Sequence, residues 1–361
     1  MPKLRFILLS VSVLALSGLT SGTILPSHAA AQSSSDTYML EIQDMISWMK
    51  GAAEVTVAMT EVFNSQQMND LMFSLSADTL DVNKLEKQFS EFELLMDSSI
   101  VEAEQRFAAL PAPERWDIGG WSTNSFERKM HRIAVEYYDY LPQSIEAISG
   151  AYTEFAKLIN FVIDGHGEFD FQKFSTESAI VSIEALTSEN NLLRGFVNAL
   201  PRSSPNHWYH KVMIDINKSM IAETHVLIAA AEPDPVRMME MRQEAGQEIL
   251  SALENTSALI TSGRSKISGS VAETNQILET RLSPDERALY ESVREATLTF
   301  ANTFDIEFRI YELQMDNAEM YASDLPDAKI DPIIMENDTE FFMLIGERHN
   351  LTINRMSILQ Q

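Results

Sequence analysis

LSPDERALYESVREATLTF, residues 282–300, decides how the chain is read. Ser283 suits a helix N-cap, Pro284 suits the first helical position, and Glu286 stands three residues past the cap. A cap hydroxyl then accepts from the N3 amide while the N3 carboxylate accepts from the cap's own amide. SPDE therefore predicts a capping box and a helix start. Downstream, Leu289, Val293, Ala296, Phe300 and Phe304 recur every three or four residues, the spacing of one buried helix face.

Upstream, residues 235–281 show the same habit over a longer run. Ile249, Leu253, Ile260, Ile267, Val271 and Leu278 fall on a 3–4 spacing, and Thr256, Gly263 and Thr274 fill the remaining positions. This heptad-like stripe predicts a long helix facing another helix. Its small residues predict either close approach of the partner or a weak seam.

A seam containing small residues, a Leu-Ser-Pro-Asp-Glu junction and a returning helix with Tyr and Phe make a recognisable unit. Residues 235–324 resemble the periplasmic helical-bundle sensor modules of bacterial chemoreceptors and sensor kinases. The resemblance covers about a quarter of the chain and rests on a capped helical hairpin. It implies a sensor-like bundle that binds a small ligand or a membrane-protein partner. Those receptors have a second membrane span and a cytoplasmic output module, and this sequence shows neither. The resemblance therefore implies a detached bundle that reports through a partner.

Two other junctions look like looser copies. FAALPAPERW (107–116) and VNALPRSSPNHW (197–208) share the Leu-Pro lead-in, with Pro113 and Ser204-Pro205 placed for a helix start. The leads end at 111, 201 and 284, a spacing of roughly 80–90 residues. This predicts a helical hairpin used four times, over 36–110, 111–200, 201–282 and 283–361. Convergence of unrelated helix junctions on Leu-Pro and Ser-Pro is the alternative. The expected fold class is all-α, with long antiparallel helices in two up-down four-helix bundles, 36–201 and 202–361. A continuous helical solenoid is the other arrangement. No period-2 strand pattern is found, and Gly (13) and Pro (12) gather at the helix boundaries.

The N-terminus reads as a targeting segment. Lys3 and Arg5 precede the apolar run FILLSVSVLALSGL (6–19), and Ala29 and Ala31 form an A-x-A site. Residues 1–31 are expected to be a signal peptide cleaved after Ala31, with a retained membrane anchor as the alternative. No later stretch approaches the ~20 apolar residues of a membrane span. The expected location is periplasmic or secreted, in a bacterium. The chain has no cysteine, which excludes disulfides, thiolate metal sites and cysteine nucleophiles.

The net charge is −26, and loss of residues 1–31 removes two basic residues and no acid. So acidic a chain is a poor partner for nucleic acid or anionic membrane. Its charge suits solubility, or attraction of cationic ligands or a basic surface.

No G-x-S-x-G, H-E-x-x-H, P-loop or dinucleotide-binding glycine pattern is present, so no enzymatic activity and no cofactor is expected. Three aromatic turns are the candidate ligand-binding groups: Arg115, Trp116 and Trp121; Trp208 and Tyr209; Arg287 and Tyr290. Trp and Arg at equivalent helix starts are suited to lining a small pocket. The alternative is that they plug bundle ends, where helices splay and large side chains fill space. His207 and His210, three apart, are the candidate metal ligands. With some of the 19 methionines they define the alternative reading, a metal- or haem-binding bundle of the periplasm. Methionine is also an adaptable core filler.

Overall fold

A computed structural model describes residues 35–60, 62, 65–76, 81–113, 125–164 and 171–359. The expected signal peptide, residues 1–31, lies outside the described residues. The described chain is all-α, without a strand. Its helices are α1 (Ser35–Thr60), α2 (Gln66–Ser76), α3 (Val82–Ala109), α4 (Ser125–Asp164), α5 (Phe171–Ala199) and α6 (Pro205–Ala230). They continue as α7 (Pro235–Leu253), α8 (Thr256–Leu278), α9 (Pro284–Ala322) and α10 (Asp327–Leu359). No described helix is long and apolar enough to cross a membrane.

The helix starts follow the local chemistry. At α9 the Glu286 N–H donates to Ser283 Oγ (3.2 Å) and the Ser283 N–H donates to Glu286 Oε2 (2.8 Å). The capping box read from SPDE is therefore formed. Asp234 caps α7 by accepting from the Val236 and Arg237 amides, and Asp81 caps α3 through the Lys84 amide. At α6, Pro205 takes the first turn as expected, but the Ser204 hydroxyl makes no cap bond.

The helix expected over 235–281 is two helices, α7 and α8, joined at Glu254–Asn255. The seam survives the interruption because Leu253 and Thr256, three apart, are both buried. Ile249, Ile260 and Ile267 are buried with them, as are the small positions Gly263 and Thr274. The small residues mark close approach. A Cβ on Gly246 would lie 2.5 Å from the Ala322 backbone nitrogen of α9. A Cβ on Gly263 would lie 2.2 Å from Phe304 Cε1, against the edge of that ring. One turn before Gly246, the buried Arg242 donates to the Ser323 and Leu325 carbonyls (2.8 and 3.0 Å) and pairs with Asp327. It fastens the α9–α10 turn onto α7.

Two regions of core result. The first is built on α1–α4, with Phe89, Phe92 and Phe155 stacked edge to face among Leu71, Leu85, Met96 and Ile148. Met49 and Met59 are packed into it, the filler role of methionine. The second lies among α6–α10, around Val212, Ile216, Phe300, Phe304, Ile310 and Ile345, continuing to Ile249, Tyr321 and Ile334. Helix α5 serves both. Leu192, Phe196 and Leu200 pack on the first, and Leu186 and Leu193 on the second.

Polar side chains run through the second core. Arg348 (1% exposed) pairs with Glu307 (0%) at 3.2 Å, and Tyr209 Oη donates to the same Glu307 oxygen. Farther along, Ser219 donates to Gln314 and Tyr321 donates to Glu223. Burial pushes the Glu307 carboxyl up, although Arg348 and the Tyr209 hydroxyl act to lower it.

Candidate functional site

The turn RSSPNHW, residues 202–208, links α5 to α6 at the edge of the second core. Beside it lies a cavity of about 240 Å³. Its walls come from four distant parts of the chain: residues 200–206, the α8 face from Ser265 to Thr274, Val293, Thr297 and Phe300 of α9, and Arg355 of α10. Leu200, Asn206, Thr274, Thr297, Phe300 and Arg355 are buried and form its inner part. Ser203, Ser265 and Glu273 are exposed and form its mouth.

Arg355 is the inner charge. It is 3% exposed, its guanidinium lies 3.8 Å over the Phe300 ring, and it donates to Asn206 Oδ1 at 3.5 Å. Burial pushes its pKa down to about 9, with the Tyr209 phenol opposing. Burial thus disfavours its charged form. Asn206 sits in the first turn of α6, at the positive end of a 26-residue helix.

The hydroxyls are not equivalent. Thr274 and Thr297 each donate to a carbonyl of their own helix, Ser270 O (2.8 Å) and Val293 O (2.7 Å). Each hydroxyl proton is thereby engaged, and the oxygen faces a ligand as an acceptor only. Lys266 and Glu273 flank the mouth on α8. They are seven residues apart, about 10.5 Å along a helix.

The residues singled out from sequence lie as follows. Arg115, Trp116 and Trp121 lie outside the described residues. Trp208 is half-buried, donates to the Arg202 carbonyl (2.9 Å) and carries Lys211 over its ring. Tyr209 points the other way, into the core, against Phe300, Phe304 and Glu307. Arg287 is exposed and Tyr290 half-buried on the first turns of α9. None of these four lines the cavity, which is formed by the Ser-Pro turn just before HWYH.

His207 Nδ1 lies 3.1 and 3.3 Å from the Val197 and Leu200 carbonyls and ties the α5 end to α6. His210 is fully buried and stacks on Phe196. Among the described residues no group of three or more His, Asp or Glu is placed to hold a metal ion. Of the methionine run RMMEMR, Met239 is exposed while Met238 and Met241 are half-buried.

Arg355, Asn206, Thr274 and Thr297 were not singled out by sequence. A signal for the arginine exists. Phe341, Ile345, Arg348, Arg355 and Ile358 all fall on the buried stripe of α10, so two arginines occupy apolar positions. Compared with protein-family models, curated proteins and solved structures, the chain matches none.

Proposed function

We propose that this is an exported, non-catalytic, sensor-like helical protein that binds a small polar solute in the cavity at the start of α6. The observation that carries the proposal is a convergence. Four segments far apart in sequence bring a buried guanidinium, a buried amide and several hydroxyls to one cavity. Protein interiors are ordinarily filled to the density of organic crystals. A space left open and walled with polar groups is costly for packing and suited to a polar solute. At about 240 Å³ it lies below the ~300–1,000 Å³ typical of drug-sized ligands. The ligand is accordingly a small metabolite. Occupancy is passed to a membrane-protein partner, the role that the resemblance of residues 235–324 implies.

Gly269 supplies the test. It lies at the cavity wall, and a Cβ there meets nothing within 4 Å. Gly269→Phe sets a bulky ring at the cavity wall from a position whose first added carbon meets nothing. Native mass spectrometry of the protein purified from its own cell envelope is expected to show a stoichiometric small mass on the wild type. Gly269→Phe, of unchanged helicity, is expected to lack it. An identical mass on both proteins overturns the reading. So does a mass on neither, together with no thermal shift in a solute screen.

A further inference from the structure

The cavity wall mixes donors and acceptors, and most of them are uncharged. Asn206 Oδ1 already receives Arg355, so its NH₂ is the end that remains to donate. The Thr274 and Thr297 hydroxyl protons are held by carbonyls of their own helices, so these two oxygens accept. The Ser204 hydroxyl makes no cap bond and can act in either sense. Ser265 and Ser270 of α8 also line the cavity, and Leu200 and Val293 add apolar wall. The charged groups do not call for a charged ligand. Arg355 stacks on Phe300, donates to Asn206 and interacts further within the protein, so it is a settled part of the wall. Lys266 and Glu273 oppose each other in sign at the mouth.

Resting on the reading of this cavity as a solute site, we infer that its ligand is a small uncharged polyhydroxy compound, an open-chain polyol or a monosaccharide. Alcohol hydroxyls both donate and accept, which is what this wall requires. They donate to Thr274 and Thr297, accept from the Asn206 NH₂, and meet Ser204 in either sense. The carbon skeleton lies against Leu200 and Val293. An anion would face the two threonine oxygens and Glu273, whereas a cation would face Arg355, Lys266 and the Asn206 NH₂. Lys266 and Thr274 stand eight residues apart on α8, about 12 Å along a helix. That wall is long enough to meet several hydroxyls of one ligand. Open-chain polyols and sugar rings share the required chemistry, and the experiment separates them.

Titration calorimetry of the full mature chain isolates each feature. Glycerol, ribitol and sorbitol form the open-chain group, and ribose, glucose and galactose the ring group. Hexane-1,6-diol lacks the inner hydroxyls, gluconate carries a carboxylate and glucosamine an ammonium. A site built to hydrogen-bond hydroxyls rejects an analogue that leaves its polar groups unpaired. At least one polyol or sugar is therefore expected to bind at least about tenfold more tightly than the diol, gluconate and glucosamine. The group that binds names the source. Added sodium chloride is expected to leave that affinity unchanged, since an uncharged ligand has no charge to screen. Thr274→Val, close in shape, is expected to weaken the preferred ligand about fivefold, the loss of one neutral hydrogen bond, with helicity and melting temperature unchanged.

Gluconate or glucosamine binding as tightly as the best neutral ligand overturns the uncharged class, as does an affinity that falls with salt. Hexane-1,6-diol binding as tightly overturns the need for several hydroxyls. Thr274→Val binding like the wild type overturns the placement in this cavity. Absence of binding by both groups at millimolar concentration overturns the inference. In that last case the envelope-purified protein tells the two readings apart. A bound mass that Gly269→Phe removes leaves the solute site standing and refutes only its ligand class.

Discussion

Gly246→Ala tests the packing where one described helix meets the backbone of another. The new Cβ would lie 2.5 Å from Ala322 N, 2.9 Å from Ala318 O and 3.0 Å from Ala322 Cα. Carbon contacts are comfortable at about 3.5–4.0 Å. All three neighbours are backbone atoms of α9 and cannot rotate away, so α7 and α9 must part by roughly 1 Å, given that comfortable separation. Overpacking of this kind costs about 1–3 kcal/mol, and rigid backbone contact places it at the upper end. Replacing a helical glycine by alanine returns about 1 kcal/mol of propensity. The net loss is about 2 kcal/mol, the difference of the two terms. Urea unfolding at 25 °C, with an m-value near 3 kcal/mol/M, would show the midpoint fall by about 0.7 M. An unchanged or higher midpoint would refute the close approach, and with it the seating of Arg242 on the α9–α10 turn.

Other outcomes follow from the same packing. Gly150→Ala, on the exposed face of α4 with nothing near its Cβ, should gain about 0.5–1 kcal/mol in the same urea experiment. Arg348→Met leaves Glu307 buried without its cation and should cost about 3–5 kcal/mol. Glu307→Leu added to it should recover much of that loss, which a double-mutant cycle measures. Ser283→Ala removes the capping-box hydroxyl and should cost about 1 kcal/mol, read as a lower melting temperature. His207 gives a pH dependence. Burial, followed by the Lys211 charge, holds its pKa below the usual value. The native state therefore resists protonation more than the unfolded one. Its stabilising contribution is complete above about pH 6.5, the unfolded value, and is lost as pH falls toward the folded value. His207→Gln should flatten the stability profile in that window, and an equal acid slope in both proteins would refute the assignment.

The helical class, the capping box at Ser283 and the small-residue seam were legible because each is a local rule. Apolar spacing, a hydroxyl three residues before a carboxylate, and glycine where a helix comes close can all be read along the chain. The interruption at Glu254–Asn255 was not, because the stripe keeps its phase across it and Leu253 and Thr256 share one face. The cavity was hidden for a different reason. Its inner residues are separated by up to about 150 positions, from Asn206 to Arg355, and only packing brings them together. Large aromatic residues drew attention to Trp208 and Tyr209, whereas the walls are Ser and Thr, which a sequence reads as ordinary helix surface. Arg348 and Arg355 on an apolar stripe were the visible clue.

Helix α5 gives the molecule a property beyond its shape. Leu192, Phe196 and Leu200 complete one core, and Leu186 and Leu193, on the same helix, complete the other. Melting either core therefore strips cover from its neighbour, and the two should be lost in one cooperative step. The far end of α5 also carries Leu200, where the cavity begins. A solute that steadies this turn would raise the melting point of helices that never touch it, and a probe on α1 or α3 would register occupancy of a site built entirely beyond them.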